Sequence, residues 1–323
     1  MREKDLKTSK GACSRKLGDS HTTSIKNHWV TYYKHLERFL GFETKAIFPQ
    51  GLSSEKVQMV QTKNTRKTDI MIEKGIRTYW KKNSQHNMFD GDRARYEGIC
   101  YDEKRHELGI FYSHEKYKTY FYTANMNLSR SYQAELLSIN GVVITKDNLI
   151  PIGLRTAQTN HMGIWHIVPA GYIDIERAVD DAARKERPTL PEVWSSETPY
   201  AATERELQEE LAIPKECVDA SKMKLIGVVF NYNRDYDTTV CVAVPVDCHS
   251  SEIALRGEEH QTMRFLKTSL NDLKEELIQL SKDRSTSSGH LRGDIALTIA
   301  HLYGCSQYVK TLESVAKEAS KSR

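Results

Sequence analysis

One stretch restricts this chain more than any other: residues 197–214, ETPYAATERELQEELAIP. Thr198 is a good helix N-cap, and Pro199 suits the first helical position, where its missing N–H costs nothing. Pro214 forces Ile213 out of helical geometry and stops the element. Ala201, Ala202, Leu207 and Leu211 supply packing faces. Glu206, Glu209 and Glu210 stand at i, i+3 and i+4, so three carboxylates leave one face of a single turn. Like charges so placed repel. A divalent cation removes that cost, and carboxylate oxygens are the hard ligands that magnesium or manganese prefers. Arg205 can pair with Glu209 one turn on. The competing reading is a solvated acidic face, which runs such as E-L-Q-E-E-L often form, so the surroundings must decide.

Those surroundings read as a sheet flanked by helices. ELLSINGVVITKDNLIPIGLRT (135–156) reads as a hairpin: an apolar strand at 142–145, a turn at Lys146, Asp147 and Asn148, and a second strand at 149–154. WHIVPAGYI (165–173) is extended and carries Gly171. MKLIGVVFNY (223–232) and TTVCVAVPV (238–246) are further strands, the second apolar throughout and therefore central. Helices are expected at 270–283 and 291–303. Earlier in the chain, the spacing predicts helices over 28–42 and 69–82 and strands over 93–101, 106–113 and 116–124, while 50–68 is polar without a period. The expected class is α+β, with strands and helices interleaved so that the sheet is covered on both faces.

With helix, extended segment and strands in place, the residues resemble the Nudix hydrolases. That family's box reads G-x5-E-x7-R-E-U-x-E-E-x-G-U, with U bulky and aliphatic. Here Glu197 is followed after seven residues by Arg205, Glu206, Leu207, Gln208, Glu209, Glu210, Leu211, Ala212 and Ile213, and VPAGYID (168–174) is similar to the strand end that opens the box at Gly171. The resemblance covers about 135–305. It implies an α/β/α sandwich with a mixed sheet and magnesium or manganese as cofactor. It also implies Gly171, Glu206, Glu209 and Glu210 as the metal site, with Arg205, Glu206 and Glu209 as catalytic residues. Glu206 is the first candidate for the base. A further acidic ligand is expected from a later loop, where Glu258 and Glu259 are the candidates and Glu259 the preferred one. Two departures stand out. Residues 172–196 separate Gly171 from Glu197 where the box allows five, so an insertion lies at about 175–196; Ala212 replaces the glycine that follows the helix.

A shorter likeness bears on substrate. MFDGDRARYEG (88–98) and YKTYFYTAN (117–125) are similar to a segment preceding the box in eukaryotic Nudix enzymes that act on UDP-sugars. The matching residues are Phe89, Gly91, Arg95, Tyr117, Lys118, Thr123 and Asn125. That resemblance implies a nucleotide sugar as substrate, with Arg95 on a phosphate and Asn125 on a base or sugar edge. Trp194, within the insertion, is expected to touch the non-phosphate part as the rim of a lid. Aromatic residues in such segments also serve simply as packing. The other functional readings are a non-catalytic Nudix-fold ligand sensor and an RNA-cap or RNA-end pyrophosphohydrolase.

Bulk properties narrow the classes further. The 323 residues suit a 133–310 catalytic domain preceded by a smaller α+β region at 29–132, with a basic, disordered 1–28 and a C-terminal tail at 311–323. Mean hydropathy is −0.60 and no apolar run reaches the length of a membrane span. Lys and Arg exceed Asp and Glu by 47 to 43, short of a nucleic-acid footprint, so a small nucleotide is the expected partner and nucleic acid is not. None of the six cysteines forms a C-x-x-C pair, and the N-terminus has no apolar core of a secretory signal. The expected setting is cytoplasmic, or nuclear, with reduced thiols. The oligomeric state is left open.

Overall fold

A computed structural model describes residues 34–64, 66–84, 88–126, 128–156, 162–177, 194–232 and 237–321. The basic segment at 1–28 lies outside the described residues, as does most of the insertion. The chain forms an α+β structure around a five-stranded mixed sheet. Its strands are β1 (Phe42–Leu52), β5 (Leu137–Ile144), β8 (Ala170–Tyr172), β12 (Lys224–Asn231) and β13 (Thr238–Pro245), in the order β1-β12-β13-β5-β8. Only β13 and β5 run parallel, paired from Thr238 with Leu137 to Pro245 with Ile144. Both are buried on both faces, which explains their near-continuous apolar sequences.

Side-chain alternation divides that sheet between two cores. Ile139, Val143, Val240 and Val242 face α3 (Pro199–Glu210), through its Tyr200, Ala202 and Leu207. Val142, Cys241 and Ala243 face the opposite side, where α4 (Leu270–Lys282), α5 (Gly289–Tyr303) and α6 (Cys305–Ser320) lie. The result is an α/β/α sandwich. A second sheet of β6 (Leu149–Arg155), β7 (Trp165–Ile167) and β15 (His260–Lys267) adjoins it, with β6 in the middle.

The N-terminal region builds a smaller sheet of β2 (Val57–Gln61), β3 (Asp92–Asp102) and β4 (Glu107–Lys116), with α1 (Ile70–Asn83) beside it. It is stitched to the main body where the site lies: the Ala94 N–H donates to the Ile173 carbonyl at 3.0 Å and the Tyr96 N–H to that of Glu135 at 2.7 Å.

Several expectations change. Residues 117–125 are a helix, α2, not a strand. Tyr117, Tyr120, Phe121 and Ala124 recur at helical spacing, and Trp80 and Tyr79 of α1 meet Phe121 edge-on or tilted, so packing overrides the β preference of the individual residues. Residues 135–156 are no hairpin. The turn forms, with Asn148 at φ 58, but β5 joins the central sheet and β6 the second one. The polar 50–68 segment contains β2, and β1, absent from the sequence reading, is an edge strand of the central sheet although it precedes residue 133. The expected tail at 311–323 is largely α6, whose Tyr308, Leu312 and Val315 are buried. Each such burial contributes about 1.5–3 kcal/mol, enough to hold a polar-looking helix in place. No helix among the described residues is long and apolar enough to cross a membrane.

Candidate active site

The acidic helix begins as its sequence dictates: Thr198 Oγ1 accepts from the Ala201 N–H at 3.2 Å, with Pro199 in the first turn. Its end differs from the motif. Leu211 is already extended (φ −124°, ψ 136°), and Leu211–Ala212 forms a short strand, β11, paired with Ala254–Leu255 (β14). No left-handed cap is made, so alanine at 212 has no conformational penalty to bear.

The helix lays Tyr200, Ala202, Thr203 and Leu207 into the core, and that orientation presses Glu206 and Glu210 against the end of β8. Glu206 sits on Gly171. A Cβ there would meet Glu206 Cγ at 2.9 Å and overlap the carboxylate itself. Glu210 Oε2 accepts from the Ala170 N–H at 3.0 Å. Both glutamates are buried, whereas the Glu209 side chain is 59% exposed. The three carboxylates therefore differ in environment although they share a helix turn.

Arg205 organises the cluster. Its Nη1 donates to Glu206 Oε1 at 2.6 Å; its Nη2 donates to Glu197 Oε1 at 2.7 Å and to the Tyr172 carbonyl at 3.0 Å. Glu209 Oε2 is 3.6 Å from Nη1. Burial opposes the guanidinium charge, but Glu197 and Glu206 more than offset it and raise its pKa. Glu197 also accepts from the Asp174 N–H at 2.9 Å, tying the base of the insertion to the helix.

Burial pushes the Glu206 carboxyl up to about 7, with Arg205 opposing and Glu209 and Glu259 adding to the rise. Burial also raises Glu210 well above the usual carboxylate range; Arg155 opposes, while Glu206 and Glu259 reinforce. Glu259, on the loop before β15, is more than half exposed, and Arg155 Nη2 at the end of β6 lies 3.8 Å from its Oε2. Glu258 contributes its backbone carbonyl to Thr156 Oγ1 at 2.7 Å.

Among the described residues, no three His, Cys, Asp or Glu side chains converge to hold a metal ion. The donor chemistry still fits a hard divalent cation. The groups are all carboxylate oxygens; Glu209 and Glu259 raise the proton affinity of Glu206, and Glu206 and Glu259 that of Glu210, a cost that a cation removes.

The three expected substrate contacts each have partners within the fold. Arg95 is buried, with Nη1 on Glu97 and Nη2 donating to the Gln133 carbonyl at 3.4 Å. Asn125 donates back to the Phe121 carbonyl at 2.6 Å, at the end of its own helix. Trp194 stacks on His114, centroids 4.0 Å apart and planes 2° from parallel. It opens β10 (Trp194–Ser196), which pairs with β9 (Ile175–Arg177) as the stem of the insertion. Of the lid expected at 176–196, residues 178–193 lie outside the described residues.

Sequence reading missed Arg155, Arg93 and Asp174. Arg93 Nη1 pairs with Asp174 Oδ1, and Arg205 Nη2 lies 3.9 Å from Asp174 Oδ2. No local pattern marks them, because strand pairing brings them together.

No protein-family model matches the sequence, and a search of curated proteins finds no match. Solved structures similar to the chain include a bifunctional NMN adenylyltransferase/ADP ribose pyrophosphatase from Francisella tularensis. That pair has 17% identity and a TM-score of 0.29, over 44% of this chain and 36% of that one. The chain thus spans about a third of that enzyme's length. Others are an Ap4A hydrolase from C. elegans (16% identity, TM-score 0.31, 52% of this chain and 98% of that one) and the NUDIX domain of Shewanella oneidensis NrtR, complexed with ADP ribose (17%, TM-score 0.30, 51% and 97%). At TM-scores near 0.3, the chemistry has to be read from the site's own residues.

Proposed function

We infer that this chain is a Nudix-type hydrolase that cleaves the phosphoanhydride of a nucleoside diphosphate linked to a second group. The observation that carries this reading is the seating of Glu206 on Gly171 and of Glu210 on the Ala170 N–H. Two buried carboxylates one helical turn apart are costly to a fold and useful to a cation site. Glu206, Glu209 and Glu210, with Glu259 from the later loop, would hold magnesium or manganese. When bound, the cation neutralises pyrophosphate oxygens and makes a water nucleophilic near neutral pH. Arg205 holds Glu206 in place, and Glu206 is the carboxylate that would serve as the general base. Retention of every acidic position of the box supports an enzyme over a ligand sensor.

The finer reading, a nucleotide sugar cut to a nucleoside monophosphate and a sugar phosphate, rests on the likeness at 88–98 and 117–125. Tyr117 from that region packs against Tyr172, next to Gly171. The test is a hydrolysis panel with magnesium and with manganese, products identified by mass: UDP-glucose and UDP-galactose against ADP-ribose, NADH, dinucleoside polyphosphates and capped RNA. Turnover of UDP-sugars above the rest supports the sugar assignment. Faster turnover of another member removes it and keeps the hydrolase. No turnover with any metal overturns both.

A further inference from the structure

Next to the carboxylate cluster stands a second arginine that no motif marks. Arg93, on β3, reaches the strand end after Gly171 through a backbone bridge to Asp174. Its guanidinium lies over Gly91, where a Cβ would meet Cζ at 3.1 Å and ask it to give by a few tenths of an ångström. The side chain is 21% exposed; Asp174 pairs with it directly, and Glu206 acts on it from a longer range. That carboxylate is shared, since its other oxygen lies 3.9 Å from Arg205. Arg205 has Glu197 and Glu206 besides. Arg93 has a weak contact to the Asp92 carbonyl at 3.5 Å, and its buried Nε has no hydrogen-bond partner among the described residues.

The charge is thus incompletely met at the edge of the site. Burial, and then Arg205, depress the Arg93 pKa, which registers the same imbalance. Tyr172, Glu206 and Tyr117 act on the same guanidinium in the opposite sense, and the two tyrosine rings meet edge to face at 5.7 Å. Tyr172 directly follows the glycine under Glu206, and its carbonyl holds Arg205. An anion reaching Arg93 would therefore lie beside the carboxylates and against two half-buried aromatic rings.

We propose that Arg93, walled by Tyr117 and Tyr172, is the anion arm of a substrate subsite, and that it takes a phosphate of the nucleoside diphosphate next to the point of cleavage. A guanidinium fork matches two phosphate oxygens at once, and a phosphate supplies the acceptors that Asp174 alone does not. Arg95, two residues on, bridges to Leu136 and turns into the core, so the substrate contact belongs to Arg93. This rests on the pyrophosphatase reading for the identity of the anion.

Isothermal calorimetry with magnesium present tests it, using α,β-methylene-ADP and α,β-methylene-UDP, with adenosine and uridine as phosphate-free controls. Arg93→Ala should weaken binding of the diphosphate by about 10- to 100-fold, the range for losing charge-assisted hydrogen bonds, and leave nucleoside binding unchanged. Arg93→Lys keeps a cation for Asp174 but loses the fork, so it should fold as the parent does and recover only part of the affinity. In turnover, the Arg93→Ala loss should fall mainly on KM. Equal affinities for the diphosphate in wild type, Arg93→Ala and Arg93→Lys overturn the subsite, as does a wild type that binds neither diphosphate. If Arg93 governs diphosphate binding but nothing is hydrolysed, the subsite stands and the hydrolase reading falls; hydrolysis indifferent to Arg93 gives the converse.

Discussion

Gly171→Ala isolates the geometry on which the functional reading depends. Gly171 does not occupy the left-handed region, so alanine imposes no backbone strain there. The added methyl instead collides with Glu206, meeting Cγ at 2.9 Å and overlapping the carboxylate. The carboxylate must retreat by about 1 Å or more to regain ordinary contact distance. That breaks the 2.6 Å bond from Arg205, a charge-assisted interaction of about 1.5–3 kcal/mol. Arg205 keeps Glu197 and the Tyr172 carbonyl, so the helix stays docked. The damage is confined to where one carboxylate points. A misplacement of about 1 Å at a reacting centre costs on the order of 100-fold in rate. We therefore expect kcat/KM to fall about 100-fold and manganese affinity, followed by electron paramagnetic resonance, to fall about tenfold or more, with the circular dichroism spectrum unchanged. Gly109→Ala is the control, since its Cβ meets nothing nearer than 3.7 Å. A Gly171→Ala protein with parental turnover and manganese affinity refutes the placement of Glu206 in the working site.

Glu210→Gln should remove most turnover and yet raise the Tm of metal-free protein. The amide oxygen can still accept from the Ala170 N–H, while the buried charge is gone; a lower Tm, or full activity in excess chelator, contradicts this. Asp294 predicts a pH effect on stability outside the site. Burial raises its carboxyl from 3.8 to about 6, so the folded state binds the extra proton between those values. Stability falls as pH rises through that window and is level above it, by about 3 kcal/mol in total. Asp294→Asn should flatten that part of the urea-unfolding profile between pH 4 and 7, and an unchanged slope refutes it.

What the sequence determined by itself is local. The cap and the i, i+3, i+4 carboxylates of α3 depend on neighbours along the chain, and so does the alternation that splits the sheet between two cores, whereas the end of α3 is set by the pairing of Leu211–Ala212 with β14. The box-opening glycine was legible too, as a residue type. Its purpose was not, because the space it leaves is filled by Glu206, thirty-five positions on. Tertiary structure alone separated the three glutamates, burying Glu206 and Glu210 and leaving Glu209 in water. It turned the expected strand at 116–124 into a helix at 117–125, since Trp80 and Tyr79 offered an aromatic surface that local propensity cannot see. It also chose between two arginines on one strand. Arg93 is registered against Asp174 and Arg95 against Leu136, so one guanidinium meets the site and the other the core. Register is a long-range property, fixed by which strand ends meet, and so a side chain's surroundings cannot be read from its place in the sequence.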